Sequence, residues 1–289
     1  MNSAPAEGRG HAHGKLILLG EHAVVYGHPG VAVAISLGTR AHLRARPGPT
    51  SLVDGDADER LTRALHGLLG PTGWAVQLQS DLPMGRGMGS SAALSVALVR
   101  AYADAIGRDL SAEALWDEVF TLERVFHGDP SGLDHATAAR GGALRFRRGP
   151  PPSFEPLPCP ALPLVVLDSG QAGDTAAQVR RVAEARPRVD ATLDAIGALV
   201  RETSGDLFDL PALGAAMTRN HALLVDLGVS TPRLDALVDL ALAHGALGAK
   251  LAGSGGGGVV VALAPEPDAL LRAAAHAGHR ALVCQVEPA

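Results

Sequence analysis

The chain has 289 residues, 47% of them hydrophobic, enough to bury a substantial core without disulfide or metal staples. Thirty acidic residues against 25 basic ones leave a formal charge of −5, which argues against a nucleic-acid partner. Two distant cysteines, Cys159 and Cys284, and no apolar run near the roughly 18 residues of a membrane helix predict a soluble cytoplasmic protein with no disulfide framework and no membrane partner.

The first third reads as strands and turns. Residues 15–19 and 31–37 are apolar runs bounded by glycines, 41–46 has the look of an exposed strand, and 74–79 alternates as a half-buried strand does. A helix is predicted from Ser90 and Ser91 to about Gly107. A second is predicted from the N-cap Ser111 to a stop at Gly128. On that second helix Trp116, Phe120, Glu123 and His127 share a face, so Glu123 is expected to be partly buried and to need a cation or metal beside it.

Residues 150–163 hold seven prolines, a density that excludes regular helix or central strand. The domain junction is placed there, giving domains over 1–155 and 156–289. The second half reads as a strand at 162–167, helices at 174–203 (broken near Pro187), 211–227 and 232–244, a glycine-rich loop, a strand at 259–263, a helix at 267–277 and a strand at 281–286. Strands and helices mix without βαβ repetition, so an α+β fold is expected.

Four segments carry possible chemistry. Pro83, Met84, Gly85, Arg86, Gly87, Met88, Gly89, Ser90, Ser91 and Ala92 follow a strand and open a helix. Alternate glycines let the backbone wrap an anion, and the helix N-terminus offers free amides. The spacing is neither a P-loop nor GxGxxG, and a serine-capped turn fits the same letters. Lys250 to Gly258 contains four consecutive glycines, which suit a close ligand approach or a flexible loop. Lys15 at a strand start, with Glu21 and His22 beyond its end, suits a polar ligand, although flanking polar residues are common around core strands. Glu123 on its helix and Asp134 in a following loop suit one carboxylate for Mg²⁺ and one for a proton, while Gly128, Asp129, Pro130, Ser131 and Gly132 are good turn chemistry in any protein.

Taken together, in this order, these segments resemble the three motifs of the GHMP kinase family. The likeness spans most of the chain, and its first motif, Gly20 to Gly27, is similar to that of the members acting on mevalonate. The resemblance implies a two-domain α+β kinase, with an N-terminal ribosomal-protein-S5-like domain and a C-terminal ferredoxin-like domain. ATP and Mg²⁺ are the implied cofactors and mevalonate the implied small-molecule substrate, phosphorylated on its primary hydroxyl. Ser91 and Glu123 would hold Mg²⁺, Asp134 would take the hydroxyl proton, and Lys15 would steady Asp134 and the developing charge. The 83–92 loop would bind the ATP phosphates. Glu21, His22, Thr175, Gly255 and Gly256 would face the substrate. His22, Arg145, Arg147 and Arg148 are all candidates for the substrate carboxylate. Met88, Ala252 and Ser254 depart from the usual Leu, Thr and Ala. Phosphomevalonate phosphorylation, diphosphomevalonate decarboxylation and a silent ligand-binding role are the alternatives, and the sequence leaves a homodimer open.

Overall fold

The computed structural model describes residues 6–83, 85–128, 130–203 and 207–287. The N-terminal half is a sheet of β1 (Glu7–Leu19), β2 (Pro29–Pro49), β3 (Ser51–Leu52), β4 (Thr72–Ser80), β5 (Ala143–Arg147) and β6 (Ser153–Leu157). It packs with helices α1 (Glu59–Leu69), α2 (Ser90–Ala105), α3 (Ala112–His127) and α4 (Leu133–Arg140). The sheet is built around β2, which runs 21 residues. Its first part pairs with β5, its last part with β4, and β1 runs antiparallel along it from Val31 to Arg44. The expected strands at 31–37 and 41–46 are therefore one strand. Gly38 between them is a close approach: a Cβ there would stand 2.4 Å from the Ala12 carbonyl oxygen.

The C-terminal half has a four-stranded antiparallel sheet in the order β10-β7-β9-β8. These strands are β7 (Leu164–Asp168), β8 (Gly248–Ala252), β9 (Val259–Leu263) and β10 (Ala281–Cys284). The accompanying helices are α5 (Thr175–Ala185), α6 (Asp190–Thr203), α7 (Leu210–Asp226), α8 (Pro232–Ala243) and α9 (Pro267–His276). Val165, Leu167, Leu237, Val260 and Leu270 lie in its core. Leu199, Val200, Leu213 and Met217 instead join Leu16, Leu18 and Val31 in the core cluster that spans both halves.

Two boundaries move. β6 pairs with β5 as far as Leu157, so the first sheet extends past 155, and Pro156 sits in a strand at the sheet's edge, where a missing amide is tolerated. The chain also ends on the first sheet: Val286 bridges Ile35, and the Glu287 amide donates to the Ala34 carbonyl. Asp134, expected in a loop, lies in the first turn of α4. Among the described residues no helix is long and apolar enough to cross a membrane.

α2 lies close on β1 because both surfaces are small. A Cβ at Gly10 would come within 2.0 Å of the Ala97 carbonyl oxygen. That contact brings the N-terminus of α2, and the loop that feeds it, beside Lys15 of β1.

Candidate active site

The loop at 85–89 is gripped on two sides. The Lys15 amide donates to the Met88 carbonyl (2.9 Å), and its Nζ donates to the Gly87 carbonyl (3.3 Å). From the C-terminal half, the Gly173 amide donates to the Gly85 carbonyl (3.2 Å). Gly87 has φ 80°, and a Cβ there would lie 2.4 Å from the Ala252 carbonyl oxygen. At Gly89 (φ 75°) a Cβ would press on the Lys15 side chain at 2.8 Å. The two glycine-rich loops thus touch each other, with Gly89 as the N-cap of α2. The first amides of α2, at Ser90, Ser91 and Ala92, have no carbonyl within the helix to receive them, so they are free to donate to an anion. Arg86, expected at the phosphates, pairs with Asp168 at 3.3 Å. Pro83 leads into the loop; Met84 and Asp129 lie outside the described residues.

Lys15 Nζ lies 3.0 Å from Asp134 Oδ1. Glu123 is buried on α3, where Ser95 donates to Oε1 (2.9 Å) and Ser91 to Oε2 (3.4 Å). Burial pushes the Glu123 carboxyl up to about 7, offset in part by the Ser95 hydroxyl and reinforced by the charge of Asp134. His127, one turn along α3, hydrogen-bonds Ser91 Oγ at 2.8 Å and stands 3.9 Å from Glu123. Burial holds its imidazole below the usual range. Ser91 and Ser95 share a face of α2, as Glu123 and His127 share one of α3, so both pairs sit at i,i+4 spacing.

A buried carboxylate whose nearest partners are two hydroxyls and an imidazole is a suitable oxygen ligand for a hard cation. Among the described residues no cluster of three or more His, Cys, Asp or Glu side chains could hold a metal alone. One or two protein ligands of this kind fit a hard cation that takes its remaining oxygens from water or substrate.

The segments expected at the substrate divide. His22, with a left-handed φ of 61°, donates from Nε2 to the Ser254 carbonyl at 2.9 Å, and burial keeps its ring neutral. Thr175, at the start of α5, accepts from the Ser254 hydroxyl at 3.1 Å. Glu21 is only 2% exposed and forms an ion pair with Lys250, with Asn220 Nδ2 on its other oxygen at 3.3 Å. Both its oxygens are thus taken by protein. Gly255 and Gly256 lie against the Val229 carbonyl, which accepts from the Gly256 amide at 2.8 Å. Arg145 pairs with Glu155, while Arg147 and Arg148 donate to the Gly27 and Val25 carbonyls at 2.9 and 3.5 Å.

Lys15, Asp134, Ser91 and Glu123 therefore converge beside the 85–89 loop, as expected. Ser95, His127, Asn220 and Lys250 were not foreseen in these places. The i,i+4 repeats pointed to the first two. A lysine inside the apolar run 248–252 was the signal for the last.

The chain belongs to the GHMP kinase family, a family of small-molecule kinases. The family's N-terminal domain matches residues 57–142 and its C-terminal domain residues 195–280. A mevalonate kinase of Pyrococcus horikoshii is 36% identical, the alignment covering 92% of this chain and 88% of the relative. One from Thermococcus gammatolerans is 35% identical over 92% and 89%. Among solved structures, L. major mevalonate kinase in complex with R-mevalonate superposes with a TM-score of 0.87 at 29% identity, over 99% of both chains. The two-domain α+β kinase fold is thus the fold of this chain.

Proposed function

We infer that this chain transfers the terminal phosphoryl group of ATP to the primary hydroxyl of mevalonate. One observation carries the chemistry: Lys15 bonds the phosphate loop through Met88 and Gly87 and the Asp134 carboxylate through its Nζ. A base is thereby held at a fixed distance from the anion turn. Phosphoryl transfer asks a protein mainly for such positioning and for charge stabilisation.

In this reading the α2 amides and the 85–89 backbone hold the phosphates. Ser91 and Glu123 hold Mg²⁺, which when bound neutralises charge on the phosphate oxygens. Asp134 Oδ1 faces Lys15, so Oδ2 accepts the proton of the attacking hydroxyl. The Lys15 ammonium, 3.0 Å from Asp134, offsets negative charge as it develops. His22 and Thr175, joined through Ser254, line the substrate side, and His22 reaches the substrate without adding charge. The Pyrococcus and Thermococcus relatives and the mevalonate-bound L. major enzyme support mevalonate as the alcohol.

Incubation with ATP, Mg²⁺ and mevalonate, followed by phosphorus NMR, tests this. A new phosphomonoester resonance coupled to a CH₂ group is expected. ADP release without that ester contradicts the assignment.

A further inference from the structure

Glu21 and Lys250 are separated by 229 residues and have no solvent contact to speak of, yet they form an ion pair. All three protons of Lys250 are taken: by Glu21, by the Ile17 carbonyl (3.3 Å) and by its own neighbour's Leu251 carbonyl (2.6 Å). Asn220 of α7, also fully buried, completes the set. Its Oδ1 accepts from the Gly20 amide at 3.2 Å, and its Nδ2 donates to Glu21. Next to it His221 accepts from the Leu251 amide (3.3 Å) and faces Asp235 (3.2 Å). Burial pushes the Glu21 carboxyl up and the Lys250 ammonium down, and each group's partner opposes that shift.

A buried ion pair is a poor stabiliser compared with apolar residues of the same volume, which makes a positioning role worth seeking for this one. What it holds is the turn at 20–22. Gly20 is left-handed at φ 103°, and His22 adopts φ 61°, the only positive value at a non-glycine position among the described residues. Such a conformation persists only where its surroundings over-determine it. The turn's own carbonyls accept from the Ala23, Val24 and Val25 amides; the side-chain and long-range anchors all come from the C-terminal half: Asn220 on Gly20, Asn220 and Lys250 on Glu21, and the Ser254 carbonyl on His22.

We propose that Lys250 and Asn220 are positioning residues for the alcohol substrate: from the C-terminal half they fix the turn that presents His22, and Glu21 is the handle they hold. This rests on the functional reading above, in which His22 lines the substrate side. It assigns Glu21 to the protein interior and makes substrate binding depend on how the two halves are joined. The 85–89 loop touches Ala252 at the end of β8, but its hydrogen-bonded anchors are Lys15 and Gly173, neither of which holds the 20–22 turn. Loosening the 20–22 turn therefore weakens the alcohol's grip and leaves the nucleotide's alone.

The test uses Asn220→Ala and the paired variant Glu21→Gln/Lys250→Met, which removes both charges at nearly constant volume, with steady-state kinetics in both substrates. Wild-type turnover of mevalonate is read first: its absence overturns the functional reading and, with it, the assignment of the clamp to the alcohol substrate, whereas failure of the clamp alone shows only in the variants. With an active wild type, each variant is expected to raise KM for mevalonate about tenfold, the scale of one lost buried hydrogen bond, with KM for ATP and kcat within about twofold. Wild-type KM for mevalonate in Asn220→Ala, or equal rises in both KM values, overturns the proposal. If the paired variant does not fold, Asn220→Ala alone decides.

Discussion

Lys15 Nζ lies 3.0 Å from Oδ1 of Asp134, with the lysine side chain 2% exposed and the aspartate 42% exposed. The cation is interior and fixed; the carboxylate is half open to the cleft. Asp134→Asn keeps the shape and removes the base. It is expected to lower kcat by about 10² to 10⁴, the usual contribution of a positioned general base. Nucleotide affinity, measured by equilibrium binding, should stay near wild type. Near-normal turnover would exclude Asp134 as the proton acceptor.

Glu123 makes stability depend on pH. Burial raises its carboxyl from 4.5 to about 7 in the folded protein. Between those values the native state keeps a proton that the unfolded chain has released, so stability falls as pH rises. Above about pH 7 the full penalty is present, on the order of 3 kcal/mol. Glu123→Gln removes it. Without nucleotide or metal, the variant should melt above wild type at about pH 8 and no higher at about pH 5. A variant that melts lower at the higher pH contradicts this account of Glu123.

The two glycine loops predict a paired comparison. Gly87 and Gly107 both have positive φ, but a Cβ at Gly87 would meet the Ala252 carbonyl oxygen at 2.4 Å and one at Gly107 would meet nothing. Gly107→Ala should cost about 1–2 kcal/mol of stability for the left-handed backbone alone and leave KM for ATP unchanged. Gly87→Ala has to part the two loops, and should raise KM for ATP as well as lowering the melting temperature. Equal effects at the two positions would mean that the loop contact is unimportant for the nucleotide.

How far all this was readable from the chain depended on distance along it. α2 and α3 were legible because their signals are local: Ser90 and Ser91 at one start, and Ser111, whose hydroxyl caps the Ala114 amide, at the other. The 85–89 loop and the place of Glu123 on α3 were legible for the same reason. α4 was hidden because the turn chemistry before it continues into a helix of only eight residues. β8 was hidden inside what read as the second glycine loop, since Lys250 interrupts an otherwise apolar strand. Glu21 read as a polar residue near a ligand. The partner that draws it inside lies in the other half of the chain, where no local pattern could indicate it.

The cysteines should be inert. Burial pushes the Cys159 thiol up to about 11 and the Cys284 thiol to about 12, so both stay protonated at neutral pH. Activity is expected to survive iodoacetamide near pH 7.5, and Cys159→Ser to retain it. Rapid inactivation, followed by mass spectrometry showing label on Cys159, would contradict this.

Substrate choice is decided by measuring ATP-dependent phosphorylation of mevalonate, phosphomevalonate, homoserine and galactose side by side with one preparation. A kcat/KM for mevalonate at least about 100-fold above each of the others is expected, because a pocket built to hydrogen-bond one alcohol rejects those that leave its polar groups unpaired. A higher kcat/KM for any of the other three, or ATP turnover with none of them, would contradict the account.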